Sequence, residues 1–153
     1  MIFRRMEEKM ADNKLDFLSH VPLFEGLERR QLQRLANRFV DRSYGPNETI
    51  VTQGRGGEGL FTVVSGKAEA IREKDDGTQV VVNNFGPTDF FGEIALLNEG
   101  PRTASVIARE DTECLVLTRS DFISVMKADA DMGVVISQEL AKRLRKALDA
   151  FAR

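Results

Sequence analysis

FGEIALLNEGPRTASV, residues Phe91 to Val106, decides the reading of this chain, because it sets a glycine, a carboxylate and an arginine close together. Gly92 has no Cβ, so backbone and an incoming group can approach closely there. The stretch from Glu93 to Asn98 is long enough for a short helix, and the first turn of a helix aims N–H groups at an anion. Arg102 follows Pro101, whose fixed φ stiffens the approach, and a guanidinium offers a planar fork of donors that matches two phosphate oxygens. Glu93 would repel a phosphate unless it faced a hydroxyl able to donate to it, and a ribose 2′-OH meets that need. These residues stand where a cyclic phosphodiester would need them, and the expectation is a nucleotide sensor.

The run resembles the phosphate-binding cassette of cyclic-nucleotide-binding domains, found in cyclic-nucleotide-dependent kinases, gated channels and bacterial catabolite-activator-type regulators. The resemblance extends to Tyr44–Gly66, YGPNETIVTQGRGGEGLFTVVSG, similar to the family's glycine-punctuated β-roll. It reaches Val21–Leu27, VPLFEGL, similar to its N-terminal helical entry, and so covers almost the whole chain. It implies a ligand-binding set that opens at Phe91, with Gly92 and Glu93 holding the ribose and the cyclic phosphate edge. The backbone at Ile94, Ala95 and Leu96 would face the phosphate, and Arg102 would pair with its charge. Thr103 would sit beside purine and phosphate, and Ala104 would lend its N–H.

Two positions carry an alternative. Thr103 is either an ordinary strand residue or a hydroxyl that meets the 2-amino group of a syn guanine. Arg143 and Leu144 fall where similar channel domains place a purine-contacting arginine and an apolar neighbour. The alternative for Arg143 is a solvated basic face near a helix C-terminus, favourably placed for the helix dipole, and for Leu144 it is packing on the roll.

Composition bounds the function. The chain has 153 residues, 42% hydrophobic and 30% charged, which suits one soluble domain with a genuine core. A net charge of −2 offers polyanions no overall attraction, so direct nucleic-acid binding is not expected. His20 and Cys114 are the only residues of their kinds, too few for a metal cluster, a hydrolytic triad or an iron–sulfur centre. No cofactor beyond the ligand, no metal and no catalysis are therefore expected. No segment approaches the roughly 20 apolar residues of a membrane span, and a cytoplasmic location is expected.

The fold class expected is α+β: an antiparallel, jelly-roll-like β-roll with short N-terminal helices, a short phosphate-binding helix and C-terminal helices. Residues 1–14 read as a tail and 15–153 as a single domain, with a helical entry over 15–38, the roll over 39–118 and C-terminal helices over 119–153. Strand runs appear at Thr49–Thr52, Leu60–Val64, Ala68–Ile71 and Gln79–Val82, with Ser105–Ala108 and Thr112–Thr118 as the last strand pair. Asp76-Gly77 marks a tight hairpin, since both residues tolerate positive φ. Gly54, Gly56 and Gly59 spell a literal G-x-G-x-x-G, but the strand-like Leu60–Val64 after them argues against a dinucleotide site. Ser120 is expected to cap a helix containing Phe122, Val125 and Met126. A last helix follows, with Ile136, Leu140, Leu144, Leu148 and Phe151 on one face.

The function expected is a regulatory domain that binds cAMP or cGMP, closes the helix Asp131–Ala150 over the base, and signals to an effector domain or partner. The chain stops at Arg153, soon after that helix, so the effector is expected elsewhere. The alternative is a β-roll interaction module, homodimeric through the C-terminal helix, with its pocket unused.

Overall fold

Between Val40 and Thr118, short runs rich in Val, Ile, Phe and Thr form strands, in keeping with their preference for a pleated, half-buried surface. The computed structural model, which describes residues 2–57, 59–98 and 100–152, sorts them into two four-stranded antiparallel sheets. One sheet runs in the order β1 (Val40–Tyr44), β8 (Thr112–Thr118), β3 (Gly59–Ser65), β6 (Phe90–Phe91). The other runs β2 (Thr49–Val51), β7 (Ser105–Ala108), β4 (Ala68–Glu73), β5 (Gln79–Phe85). The sheets do not close into a barrel. Alternate residues of each strand point to one face, so Phe61 and Val63, Ala68 and Ala70, and Cys114 and Val116 meet Phe91 and Val106 in a buried cluster. This is the expected α+β jelly-roll-like fold.

Three local expectations need correcting. Ser105–Ala108 and Thr112–Thr118 do not pair with each other: β7 lies between β2 and β4, β8 between β1 and β3, and the intervening residues carry the chain from one sheet to the other. That link is tied to the β3–β4 turn, with Arg109 N–H donating to Lys67 O at 2.8 Å and Thr112 Oγ1 donating to the same oxygen at 3.1 Å. The β4–β5 hairpin forms at Asp76-Gly77 as expected, but through a three-residue loop in which Asp76 does not take positive φ. Lys74 N–H donates to Thr78 O, Gly77 N–H donates to Lys74 O, and Gly77 alone of the loop takes positive φ, at 86°. Asp76 instead accepts from the Thr78 N–H and hydroxyl, at 2.9 and 2.6 Å. Finally, the helix after β8 is capped by Thr118, not Ser120. Thr118 Oγ1 accepts the Asp121 N–H at 3.2 Å and donates to Asp121 Oδ2 at 3.1 Å.

Contacts divide the chain into two compact units: Arg38–Ile123, which carries the sheets, and a helical unit made from the chain on either side of it. Within the helical unit, residues 2–14, expected as a tail, belong to α1 (Ile2–Ser19). A 3-10 turn at Pro22–Phe24 and α2 (Arg29–Ala36) follow, and α1 packs on both. After the short α3 (Ile94–Leu97) and α4 (Arg119–Ala128), the last helix, α5 (Ala130–Ala152), packs on the 3-10 turn. Asp129 organises this unit: it caps α5 at the Met132 N–H (3.3 Å), pairs with Arg34 (3.5 Å) and accepts from Gln31 Nε2 (3.5 Å). His20 closes α1 as a helix-end residue, its Nδ1 bonded to Asp16 O at 2.8 Å. Among the described residues no helix is long and apolar enough to cross a membrane.

Candidate ligand-binding site

Where β6 ends, Gly92 takes φ +85° and Glu93 leads into α3. The turn is closed by Ala95 N–H donating to Gly92 O (3.1 Å) and Leu96 N–H donating to Glu93 O (3.2 Å). Leu96 turns its side chain into the interior, while Ile94 is 67% exposed. Beyond Gly100 and Pro101 the backbone of Arg102 is clamped, its N–H donating to Arg55 O and its carbonyl accepting the Gly54 N–H, both at 2.8 Å. Ser105 Oγ accepts the Gln53 N–H at 2.8 Å. The cassette is thereby fastened to the loop after β2, the one whose glycines spell G-x-G-x-x-G. A strand opens at Gly59 there, where a dinucleotide site would need a helix.

The Arg102 side chain lies inside the roll. Its Nη2 donates to Gly59 O at 2.9 Å, and its Cζ sits 5.9 Å from the centroid of the Phe61 ring, which stacks on Phe91 at 5.1 Å. Gly92 matters here in a way its expected role did not include. A Cβ at Gly92 would collide with Gly59 O and with Arg102 Nη1, and a Cβ at Gly57 would run into the same guanidinium. The two glycines leave room for the cation.

Around it opens a cavity of about 610 Å³, within the size range of small-molecule sites. The expected residues Phe91, Gly92, Glu93, Ile94, Ala95, Arg102, Thr103 and Ala104 all line it; Leu96 does not. Arg143 and Leu144 lie on α5 in the helical unit, Leu144 62% exposed. Sequence reasoning missed the contribution of β2, β4 and β5: Val51, Ala70, Val82, Asn83 and Phe85. One signal was available, the alternation that puts Asn83 and Phe85 on the same face of β5, where they oppose Ala70 and Ala68. Among the described residues no group of acids, histidines or cysteines could hold a metal ion.

A site that joins an arginine, a glutamate and an apolar wall suits a phosphorylated sugar bearing a flat base. Residues 41–129 match the profile of the cyclic nucleotide-binding domain. The chain belongs to that family. The cyclic AMP receptor protein of Thermus thermophilus is 36% identical to it over 126 residues, a match that spans 82% of this chain and 58% of the relative. The cAMP-dependent protein kinase regulatory subunit of Colletotrichum orbiculare is 35% identical over 126 residues, spanning 80% of this chain and 32% of that one. The cyclic nucleotide-binding domain thus corresponds to only part of either relative. Among solved structures, the regulatory domain of Toxoplasma gondii PKA in co-crystals with cAMP superposes with a TM-score of 0.79 at 27% identity, over 91% of this chain and 51% of that one.

Proposed function

We propose that this cyclic nucleotide-binding domain is a non-catalytic, cytoplasmic receptor for cAMP or cGMP. The observation that carries the reading is Arg102 lining the same cavity as Glu93, with its guanidinium already turned inward to Gly59. In this reading Arg102 neutralises the cyclic phosphate and Glu93 accepts from the ribose 2′-OH. Backbone at Ile94, Ala95, Leu96 and Ala104 completes the cradle, and Val51, Val82 and Phe85 take the purine. Arg143 and Leu144 on α5 close over the base and pass the bound state to an effector domain or partner. A ligand shifts such an equilibrium only by its differential contacts with the two states, so α5 must meet the purine better when closed.

Calorimetric titration and melting with each nucleotide test the proposal. Ligand at a hundred times Kd should add about 2.7 kcal/mol of stability; no heat and no shift with either nucleotide would refute it. A second reading rests on the outer face of α5, where Leu144, Leu148 and Phe151 are 62%, 61% and 93% exposed. It makes the chain an interaction module, homodimeric through α5, and requires concentration-dependent association with no nucleotide response.

A further inference from the structure

The last helix carries more apolar surface and more positive charge than its packing uses. Met132 and Ile136 bury the start of α5, but every residue from Ala141 to Ala152 is exposed, so no side chain is buried over roughly three turns. In those turns the residue types are sorted by face. At 3.6 residues per turn Leu144, Leu148 and Phe151 share one stripe, and Arg143 and Arg145, on either side of Leu144 in sequence, border it on its two edges. Lys142 and Lys146 take the far side, Lys142 beside Glu139 at 3.1 Å. Four cations thus stand against one acid, Asp149, between Ala141 and Ala152, although the whole chain has a net charge of −2.

Whatever covers this stripe must be apolar along the middle and anionic along the edges. The α5 of a second copy would supply the apolar middle, but it brings arginines of its own, and one aspartate per helix does not answer them. A nucleic acid would supply the charge and leave Leu148 and Phe151 in water. A bilayer surface with anionic headgroups supplies both. Its acyl boundary takes leucine and phenylalanine, and arginine stems lie along that boundary while their guanidinium groups reach the phosphates.

We infer that the distal turns of α5 dock on an anionic lipid surface, lying in its plane rather than across it. The helix is not apolar enough to cross a membrane. The inference does not rest on the receptor reading, because it turns on Arg145, Leu148 and Phe151, to which that reading gives no role.

The test is co-sedimentation of the full chain, without nucleotide, with vesicles of phosphatidylcholine alone and of phosphatidylcholine mixed three to one with phosphatidylserine. The chain should pellet with the anionic vesicles and not with the neutral ones, and added salt should release it. Arg145→Gln should lower the affinity about five-fold, the worth of one cation near such a surface. Leu148→Ser combined with Phe151→Ser should lower it at least ten-fold, since two side chains lose their burial. All three positions are exposed, and melting curves verify that the variants are folded. Failure to bind either vesicle, equal binding to both, or unchanged binding by the Leu148–Phe151 variant would overturn the inference. So would a dimer in sedimentation velocity without vesicles that the same variant dissociates, which would give the stripe to a second α5. Calorimetry with cAMP and cGMP decides the receptor reading separately, whatever the vesicles show.

Discussion

Arg102→Leu separates the structural from the recognition role of the guanidinium. In the ligand-free protein the substitution removes the 2.9 Å bond to Gly59 O and the cation over Phe61. Leucine can still occupy the room beside Gly57 and Gly92 and rest on the same ring. The bond to Gly59 O is worth about 1 kcal/mol, or roughly 2–4 °C in melting temperature for a chain of this size. With nucleotide bound, the same change leaves a phosphate charge without its partner, at about 2–5 kcal/mol, which is roughly thirty-fold to several thousand-fold in affinity. The two effects differ enough to be read apart: a small shift in melting without ligand, and a large loss of binding by calorimetry. Arg102→Lys should fall between, because an ammonium keeps the charge and loses the planar fork. A folded Arg102→Leu protein that binds cAMP and cGMP within two-fold of wild type would refute the assignment of Arg102 to the phosphate.

Glu93→Gln should cost less than Arg102→Leu, since an amide oxygen still accepts from a 2′-OH without charge assistance, and the penalty for a 2′-deoxy ligand should shrink in the variant; an undiminished penalty in titrations would count against the ribose role. Thr88 is β-branched yet sits at φ +74° in the turn from Gly86 to Asp89, so Thr88→Gly should relieve about 1 kcal/mol of backbone strain. Urea unfolding that shows the glycine variant less stable would contradict this. Cys114, 1% exposed in the core cluster, has its thiol pushed up by burial from 9.0 to about 12. The raised value favours the protonated thiol, so the stability it contributes is whole below about pH 9 and is lost as pH climbs toward 12. Thiol reagent at pH 8 should label Cys114 only on unfolding, and Cys114→Ala should flatten the decline in melting temperature above pH 9.

What the sequence revealed and what it concealed follows from how far each feature reaches along the chain. The cassette was legible because Gly92, Glu93, Pro101 and Arg102 lie close together in sequence and line one cavity. The strands were legible because alternation encodes which face of a residue is buried. Alternation does not encode which strand lies alongside, and so β7 and β8 were located correctly and paired wrongly. Ser120 and Thr118 bear the same capping hydroxyl; Asp121, three residues after Thr118, decides between them by accepting its hydroxyl. The first turns of α1 were hidden because Ile2, Phe3, Met6 and Met10 are 55–79% exposed, and its buried apolar residues, Leu15 and Leu18, come near its end. The strand-borne wall was hidden for a further reason: Val51, Ala70 and Asn83 are brought together by pairing across the sheet, and the bulge takes Val82 out of the strand's period.

That division also explains why the ligand class is easier to read than the ligand. The groups assigned to Arg102 and Glu93, a cyclic phosphate and a ribose hydroxyl, are shared by every purine 3′,5′-cyclic nucleotide, so however tightly the cassette binds them it contributes equally to cAMP and cGMP. Selectivity is a difference of affinities and must come from side chains that meet the part of the ligand that differs. Within the cassette only Thr103 qualifies, and one neutral hydrogen bond there is worth about 1 kcal/mol, a several-fold preference at most. A stronger discrimination requires a polar group on the wall that faces the base. Keeping the cassette and altering the strand-borne wall is therefore the shortest route by which this fold could change its base without changing the groups proposed to hold the sugar phosphate.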